Sequence, residues 1–428
     1  MPPRRRCALR FVCGLPLCML ALGFAPPGDA GDPGAVSMAV ERIDGTRLAG
    51  RWIGADGATF TLGTDTGATR IELDALSTVR RRAPSAPSPP PVHRTTLYLR
   101  DGGRWHATLL DGAPGGITVR TAVADPCVLP FDALAAVRLG TPSDDPDADG
   151  LFGAALDKHL TAQDVLVTRG DTPKAVRGTL LTLGAQAASF RFGGRDRTLA
   201  TRKIYAVVLA AGAGKPTEDP SNRPAYRAMF TLTDGSTVGA RIVRADARTV
   251  RVETSFGLAA DLALVDIAAI DFHSSRVVYV SDMSPMSEQT SGMLHAPWPV
   301  QYDRSASGQP LSLGGRRFDK GIGVHSRCEL AYALDGAYES FVATIGIDDA
   351  VRPRGSVVFR VIGDDNVLLD SGPVTGNDKP RPIAVDVAGV TRLTLLVDFG
   401  AGLDLADHAD WADARLLKPP RAIDRGIR

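Results

Sequence analysis

The sequence predicts an all-β protein made of several domains. Glycine and proline supply 45 and 30 of the 428 residues, so turns must be frequent and long helices rare. Short runs of alternating apolar and polar residues recur along the chain, and many are separated by Asp-Gly turns. Because a period of two is typical of strands with one buried face, we expect mainly antiparallel sheets.

The first 30 residues predict an export signal. A basic stretch, MPPRRRCALR, precedes an apolar run of 15 residues, FVCGLPLCMLALGFA. This run is shorter than the ~20 residues of a membrane-spanning helix, and small residues follow it as far as Ala30. We therefore expect a signal peptide over residues 1–30, no membrane span after its cleavage, and a periplasmic, cell-surface or extracellular location.

Four weak repeats of about 45 residues fill the middle of the chain. Each opens with a short alternating strand and a turn of Asp and Gly, and each closes on an apolar segment such as FDALAAVRL. Asp-Gly tolerates the positive φ of a tight hairpin, and about five strands per unit indicate a small barrel. The pattern resembles SH3-like or Sm-like barrels, in units at 36–82, 95–140, 151–211 and 226–275.

The connections favour four separate units. Two of them, 81–94 and 211–226, are rich in proline and predict semi-extended linkers. The third, 141–163, has an acidic start and then an apolar pattern, which predicts one short amphipathic helix. Its Asp-x-Asp-x-Asp-Gly segment is like the start of a calcium-binding loop, but Leu156 stands where that loop needs a glutamate. We therefore interpret these aspartates as a helix cap.

From about Ser291 the strand-like runs become longer. ESFVATIGID, GSVVFRVIGDDNVLLDSGPV and RPIAVDVAGVTRLTLLVDFG carry β-branched and aromatic residues, and GDDN between two apolar runs predicts a hairpin turn. Their length and alternation fit an antiparallel sandwich of two sheets around one core, over residues 291–418.

These segments, with GIGVHSRCELAYALDG and DHADWADARL, resemble the NPCBM family, a carbohydrate-binding module first noted beside glycosyl hydrolase family 98 catalytic domains. The resemblance covers residues 291–418 only. It implies a galactose-binding-like jelly-roll β-sandwich, galactose-type sugars as ligands, frequent attachment to secreted glycoside hydrolases, and often a structural calcium ion. The sequence departs from the family pattern at GDDN and at Cys328, where serine or alanine is more common, and neither departure threatens the fold.

Several side chains of this domain are candidates for binding a sugar. An indole offers a flat apolar face to a pyranose ring, and Asp and His side chains can bridge neighbouring hydroxyls. The candidates are His325, Asp348, Asp349, His408 and Trp411. Two of them have an alternative role, because a tryptophan on the last strand of a sandwich often packs in the core, and His325 could be a buried histidine that is hydrogen-bonded inside the sandwich.

Strand geometry also bears on the aspartates near the C-terminus. If the last strand starts at Trp411, then Trp411, Asp413 and Arg415 share one face and Asp410 lies on the other. Asp410 and Asp413 would then point apart, so we expect no catalytic pair. Asp407 and Asp410, placed on the preceding loop, are the predicted calcium ligands, because hard oxygen donors suit Ca²⁺.

The charge balance and the motifs limit the functions. The formal net charge is +1, from 49 basic and 48 acidic residues, which argues against a nucleic-acid binder. Cys127 and Cys328, the two cysteines beyond the predicted signal, are expected to be unpaired structural thiols. We expect an exported, non-catalytic carbohydrate-binding protein. The alternatives are a cell-envelope scaffold whose small barrels contact proteins and, third, a glycoside hydrolase.

Overall fold

The structure, a computed structural model, describes the segments 36–82, 95–157, 163–210, 226–293 and 296–420. Nearly all regular structure in these segments is β-strand, which confirms the predicted all-β class. The predicted signal peptide lies outside the described residues. Among the helices of the described segments, none has the length and apolar character needed to cross a membrane.

The first repeat folds as five antiparallel strands. They are β1 (Ser37–Arg42), β2 (Arg47–Ala55), β3 (Thr59–Thr64), β4 (Gly67–Glu72) and β5 (Leu76–Arg81). β1 pairs with β2 on one side and with β5 on the other, and β3 and β4 continue the meander outward from β2. The strand order is therefore 4-3-2-1-5.

Local chemistry explains the two direction changes that define this unit. At the β1–β2 turn, Gly45 has a φ of +83°, and the Asp44 carboxylate accepts the N–H of Thr46 at 2.8 Å. Before β5, a 3-10 turn over Leu73–Ala75 buries its first and last side chains. The Asp-Gly pattern thus marks a tight turn, as the sequence predicts.

The other three repeats have the same strand order, with the fifth strand paired to the first and a 3-10 turn before it. Their strands are β6 (Thr95–Leu99), β7 (Arg104–Ala113), β8 (Gly116–Thr121), β9 (Cys127–Pro130) and β10 (Leu134–Arg138); β11 (Asp164–Thr168), β12 (Ala175–Leu183), β13 (Ala187–Phe192), β14 (Arg195–Ala200) and β15 (Ile204–Val208); β16 (Tyr226–Leu232), β17 (Thr237–Ala245), β18 (Thr249–Thr254), β19 (Ala259–Ala263) and β20 (Ile267–Ser274). The specific likeness to SH3 or Sm barrels stays a prediction.

The repeats are joined through their fifth strands. β5 of the first repeat pairs with β20 of the fourth, and β10 of the second pairs with β15 of the third. These two pairings join the repeats in two pairs, and a pairing of β17 with β7 connects the two pairs into one sheet of 20 strands. Apolar side chains from all four repeats form one core cluster. The composition of a linker carries no information about pairing between edge strands, so the sequence predicts separate units. The pairing of edge strands satisfies backbone N–H and C=O groups that would otherwise have no strand partner.

Within the described residues the single α-helix is α1, Pro146–Asp157. The Asp145 carboxylate accepts a backbone N–H of the first turn at 3.0 Å, which is the predicted cap. Phe152 packs against Tyr98 of the second repeat and Tyr205 of the third, with ring centroids 5.4 and 6.5 Å away. The helix therefore lies over the junction of these two repeats.

The C-terminal part folds as two antiparallel sheets packed around one apolar core, as predicted. Its strands are β21 (Val277–Tyr279), β22 (Ser287–Thr290), β23 (Gln301–Tyr302), β24 (Leu311–Leu313), β25 (Arg316–Phe318), β26 (Gly321–His325), β27 (Cys328–Ala333), β28 (Ser340–Ile347), β29 (Ser356–Gly363), β30 (Asn366–Thr375), β31 (Arg381–Asp386), β32 (Arg392–Phe399) and β33 (His408–Leu417). One sheet has the order β23-β26-β33-β28-β31, with β21 also on β33; the other has the order β22-β27-β32-β29-β30.

The sandwich begins before Ser291, where the sequence analysis places its start. β21 and β22 already belong to its two sheets. β22 is the polar segment SEQT, largely exposed at the edge of its sheet. Sequence pattern misses it because an edge strand without a buried face shows no apolar alternation.

The cysteines Cys127 and Cys328 are both buried and unpaired, as predicted. They lie in β9 of the second repeat and in β27 of the sandwich. Burial raises the pKa of both thiols, so little thiolate forms at neutral pH. Their role is therefore packing.

The sandwich contacts the first repeat through a small apolar cluster. Ile43 of the first repeat packs with Val342 and Leu417 of the sandwich. The guanidinium of Arg415, on β33, also donates to the carbonyl of Ile43 at 2.8 Å. The final strand of the sandwich is thus part of the joint.

Arg276 completes this joint. Its guanidinium donates to the Glu339 carboxylate at 2.6 Å and to the Lys418 carbonyl at 2.9 Å, and lies 3.9 Å from Asp74 of the first repeat. The residue is 7% exposed, so its charge depends on these partners.

We predict that Arg276→Ala lowers the free energy of unfolding by about 2 kcal/mol, because hydrogen bonds to a charged, buried group are lost together. Urea unfolding of the full chain measures the effect. Arg392→Ala is the matched control, since its ion pair with Asp365 is between side chains 51% and 86% exposed and should contribute less than about 1 kcal/mol. Equal losses in both variants would contradict the prediction.

Candidate functional site

Two histidines face each other at one end of the sandwich. His325, at the end of β26, is directly opposite His408, at the start of β33, and their ring centroids are 5.7 Å apart. Both are buried, at 7% and 8% exposure. Trp298 stacks on His325 at 5.0 Å with an interplanar angle of 13°, and meets His408 edge-to-face at 5.0 Å. Trp298 itself is half-buried, so this aromatic cluster of three rings reaches the surface through the indole.

The hydrogen bonds of the two histidines determine which of their ring nitrogens remain available to a ligand. The Nδ1 of His325 lies 2.9 Å from the Ser326 carbonyl, which can only accept, so Nδ1 donates and Nε2 is the acceptor of the neutral ring. The buried Nδ1 of His408 has no hydrogen-bond partner among the described residues. Burial is the main cause that lowers the pKa of His408, and electrostatic interactions with the neighbouring His325 and Arg354 act in the same direction. His408 is therefore neutral at pH 7, with an unsatisfied polar atom beside the indole.

Arg354 brings an exposed charge to this end of the sandwich. It lies on the loop between β28 and β29, close enough to His408 to affect its pKa. Its guanidinium offers up to five N–H donors in a plane, and such donors form strong bonds to oxygen acceptors. A half-exposed indole, a buried polar nitrogen and an exposed guanidinium thus occur together.

Asp407, a predicted calcium ligand, holds strand ends together instead. Its carboxylate accepts the Ser326 hydroxyl at 2.6 Å and the Ser356 N–H at 2.8 Å. Asp410, the other predicted ligand, lies beside Asp348. The two predicted ligands thus contact different groups of the protein, and their role as a calcium pair stays a prediction. Among the described residues, no group of three or more His, Cys, Asp or Glu side chains is arranged to hold a metal ion.

Asp348 and Asp410 form a buried carboxyl pair, at 1% and 0% exposure. Asp348 accepts the N–H of Ala350 at 2.9 Å and that of Ser312 at 3.2 Å. In the described part of the chain, neither oxygen of Asp410 has an ordinary hydrogen-bond partner. Burial, followed by the charge of Asp348, raises the pKa of Asp410 well above its usual range. A protonated Asp410 that donates to Asp348 would satisfy both groups. The structure places Asp348 inside the sandwich rather than at an open surface, and its sugar-binding role stays a prediction.

Asp349 is also committed to the protein. Its carboxylate accepts the Ser312 hydroxyl at 2.7 Å and the N–H groups of Gly314 and Gly315 at 2.8 and 2.7 Å. Burial alone would raise the pKa of Asp349, but these bonds and the charge of Arg352 outweigh it and lower the pKa. Asp349 therefore anchors the β24–β25 turn, and the structure does not support its predicted place in a sugar site.

Trp411 is a core residue, so its predicted role as a sugar platform is wrong. It is 1% exposed and packs edge-to-face against Phe359 at 4.9 Å and Phe341 at 6.0 Å. The predicted face alternation also fails beyond it. Asp413 has a φ of +54°, and a register shift between β28 and β33 at this point puts Ala414, rather than Asp413, on the core side with Trp411.

The sequence points to His325 and His408 but does not mark Trp298 or Arg354. Trp298 lies in APWPV, between two prolines and outside any strand, so no period marks it. The available signal is an aromatic side chain in a loop that proline restrains. Arg354 follows Pro353 in the same way. Nothing in the sequence separates Arg354 from other exposed arginines.

Comparison with protein families supports the resemblance found in the sequence. Residues 276–417 match the model of the NPCBM/NEW2 domain family. The matched segment begins just before β21 and ends with β33, so it coincides with the sandwich seen in the structure. The two histidines and Trp298 all lie within it.

Relatives share this segment only. A Renibacterium salmoninarum protein named as an endo-alpha-N-acetylgalactosaminidase is 31% identical over 150 residues, 33% of this chain and 10% of its own length. The alpha-1,3-galactosidase B of Akkermansia muciniphila is 35% identical over 118 residues, 27% of this chain and 15% of its own length. A solved structure of CBM51 from Clostridium perfringens GH95 in complex with methyl-galactose is 32% identical, with a TM-score of 0.30, and covers 33% of this chain and 99% of the other. The chain thus spans a small part of these curated relatives.

We predict that the wild type becomes less stable as pH rises through the pKa of Asp410, and that Asp410→Asn does not show this decrease. The pKa of Asp410 is raised in the folded state, so its stabilising contribution is complete below the unfolded value of about 3.9 and disappears as pH rises through the folded value. Asparagine cannot ionise, and its amide still donates to Asp348. Thermal melting between about pH 4 and 9 in EDTA measures the effect.

Asp378→Asn is the control for this experiment. Asp378 is only half-buried, and the N–H of Thr375 is the main cause that lowers its pKa, so its contribution has the opposite sign and grows with pH. The wild-type loss at high pH should persist in that variant. Parallel pH profiles for wild type and Asp410→Asn would contradict the buried-proton interpretation.

We predict that Trp411→Ala costs about 3–5 kcal/mol of stability, as expected for a fully buried aromatic side chain. Trp298→Ala should cost less than half of that, because Trp298 is half-buried in a loop. Urea unfolding of both variants provides the comparison. The assignment of Trp411 to the core would fail if the two losses were equal.

Proposed function

We propose that the protein, whose residues 276–417 form an NPCBM/NEW2 domain, binds glycans without hydrolysing them, at the aromatic cluster of Trp298, His325 and His408. The single observation that carries this proposal is the buried Nδ1 of His408, next to a half-exposed indole, which has no hydrogen-bond partner among the residues that the structure describes. A polar atom left unsatisfied inside a protein is costly unless a ligand or water completes it.

The chemistry of the cluster suits a sugar. The indole of Trp298 is held flat on His325, so it is pre-organised for a pyranose ring to pack against it. His408 and Arg354 supply the polar contacts that fix the orientation of a ring by its hydroxyls. Such a small set of contacts fits a terminal sugar better than a long chain.

The sugar that we propose is of the galactose type. The names of the two curated relatives describe enzymes that act on galactosaminide and galactoside bonds, and the shared segment is the sandwich. The shared segment makes up only 10% and 15% of the lengths of those two proteins, so their activities belong to much longer chains. The shared segment supports glycan binding as the property that this chain has in common with them.

Two expectations from the sequence join this proposal. The first is export, motivated by the signal-like residues 1–30. The second is a structural calcium ion, motivated by the family resemblance, with Asp407 and Asp410 as the ligands predicted from the sequence. Binding experiments with and without Ca²⁺ address the second point directly.

The positions of the described carboxyl groups support the non-catalytic part of this proposal. Hydrolysis of a glycosidic bond needs two carboxyl groups roughly 5–10 Å apart across an open cleft. The close pair in this sandwich, Asp348 and Asp410, is buried under the loop that carries Ser312. A scaffold role for the repeats is the second candidate, favoured by their single sheet of 20 strands. A protein that binds sugar, stays monomeric and retains no partner would disfavour it.

The full chain should be applied to a glycan array that includes galactose-, N-acetylgalactosamine- and glucose-terminated structures, with and without Ca²⁺. We expect selective binding of galactose-type termini. In titrations with methyl-galactose, Trp298→Ala should bind at least about tenfold more weakly, whereas Trp298→Phe should retain part of the affinity because a flat apolar face remains.

Arg354→Gln and Arg392→Gln make a matched pair of exposed arginines at opposite ends of the sandwich. The first should weaken binding and the second should not. Melting temperatures of all variants check that the fold is intact. Absence of any glycan binding under both conditions, or unchanged binding by Trp298→Ala, would overturn the proposal.

A further inference from the structure

The near-neutral charge of the whole chain hides a strongly basic third repeat. Residues 163–210 carry eight Arg and Lys against three Asp and no Glu, a net charge of +5. The corresponding values are +1 for residues 36–82, 0 for 95–140 and −1 for 226–275. The four repeats share one strand order, so the fold does not account for this excess.

The excess is prominent on the hairpin of β13 and β14. Gly193 and Gly194 form its tip with φ of +58° and +75°, and nothing lies within 4 Å of the position of a Cβ on either glycine. β14 pairs with β13 and with no other described strand, and its first four residues are exposed. The hairpin thus presents an open edge to solvent.

The third repeat differs from the others at a defined position of this strand. Two residues before the start of the 3-10 turn, the fourth strand carries Ile71, Leu129 and Leu262, all buried, and Leu199, which is half-buried. Two residues earlier, the other repeats carry Thr69, Cys127 and Ala260, which are half-buried or buried. The third repeat carries the exposed Arg197 there, and Arg195 precedes it by two. At the position of Arg197, a cationic side chain therefore stands where the other three repeats carry small, uncharged ones.

These arginines form a strip with an exposed aromatic residue. Arg195 and Arg197 are two apart on β14 and share a face, at a spacing of about 6.6 Å along the strand. The cross-strand partner of Arg195 is Phe192, which is 47% exposed. On the other face, Arg191 is neutralised by Asp196 at 2.7 Å. Of the described carboxylates, none forms an ion pair with Arg195 or Arg197.

We propose that this strip of Phe192, Arg195 and Arg197 is a second binding surface, separate from the sandwich, for an acidic polysaccharide. Guanidinium groups recognise carboxylate and sulfate oxygens through paired hydrogen bonds, and a regular spacing of charges suits a polymer with repeated anionic groups. Phe192 adds an apolar face that a sugar ring can cover.

A polysaccharide fits the strip better than a nucleic acid. Single-stranded nucleic acids need successive aromatic platforms for their bases, and this strip has one aromatic side chain. Sugar rings need a single apolar contact between charged groups. An exposed edge strand also attracts other strands, but arginines on it oppose such pairing, which leaves a glycan chain as the favoured occupant.

The test measures binding of the full chain to polygalacturonate and chondroitin sulfate, with neutral dextran and single-stranded DNA as comparisons, at 50 and 150 mM salt. We expect binding to the acidic polysaccharides that weakens with salt, and none to dextran. Arg195→Gln with Arg197→Gln should weaken it about tenfold, because two contacting charges are lost.

Arg244→Gln with Arg248→Gln is the matched control, since it removes two exposed arginines from the fourth repeat. That variant should stay within about twofold of wild type. Trp298→Ala should also leave this binding unchanged, which separates the surface from the sugar site of the sandwich. No binding at 50 mM salt, equal losses in both double variants, or tighter binding to DNA than to either polysaccharide would overturn the proposal.

Discussion

The bulge at Asp413 is the constraint on which the arrangement of the sandwich depends. β33 is a central strand, and every side chain on it is assigned to a face by its register with β26 and β28. Before the bulge, Trp411 enters the core; after it, Ala414 and Leu416 do. Without the extra residue, Asp413 and Arg415 would enter the apolar core, at a cost of several kcal/mol for an unpaired charge. The bulge instead leaves Arg415 free to reach Ile43 of the first repeat.

The same strand separates the polar groups of the domain by function. His408, at its open end, belongs to the aromatic cluster, and its Nδ1, without a partner in the described part of the chain, is where the proposed ligand would gain most. Asp410, two residues further, lies on the covered part of the sheet beside Asp348, and burial raises its pKa well above the usual range. A carboxyl pair that is sealed in this way stabilises only when one member is neutral. It holds the Ser312 loop in place and leaves recognition to the exposed end.

Much of this fold follows from the sequence, because turns and alternation are local. Asp44-Gly45 marks a tight turn, and the long alternating runs indicate the sandwich. The sequence also selects His325 and His408, since both lie next to strand ends. What it misses is set by contacts between distant segments. Trp298 sits in a loop without a period, the partners of Asp349 come from another hairpin, and the bulge at Asp413 moves Arg415 to the opposite face. The edge pairing of the fifth strands is likewise set by contacts between distant segments.

Charge separates the two proposed binding surfaces. Residues 276–420 carry 14 Arg and Lys against 19 Asp and Glu, a net charge of −5, whereas the third repeat carries +5. The negative charge of the sandwich repels an acidic glycan, and the positive charge of the third repeat attracts it. Neither charge has much effect on a neutral terminal sugar. The sandwich therefore suits recognition by stacking and hydroxyl contacts, and the third repeat suits anionic polymers. Two modest sites on one chain reinforce each other where a glycan surface offers both ligands, because the second contact is made at high effective concentration.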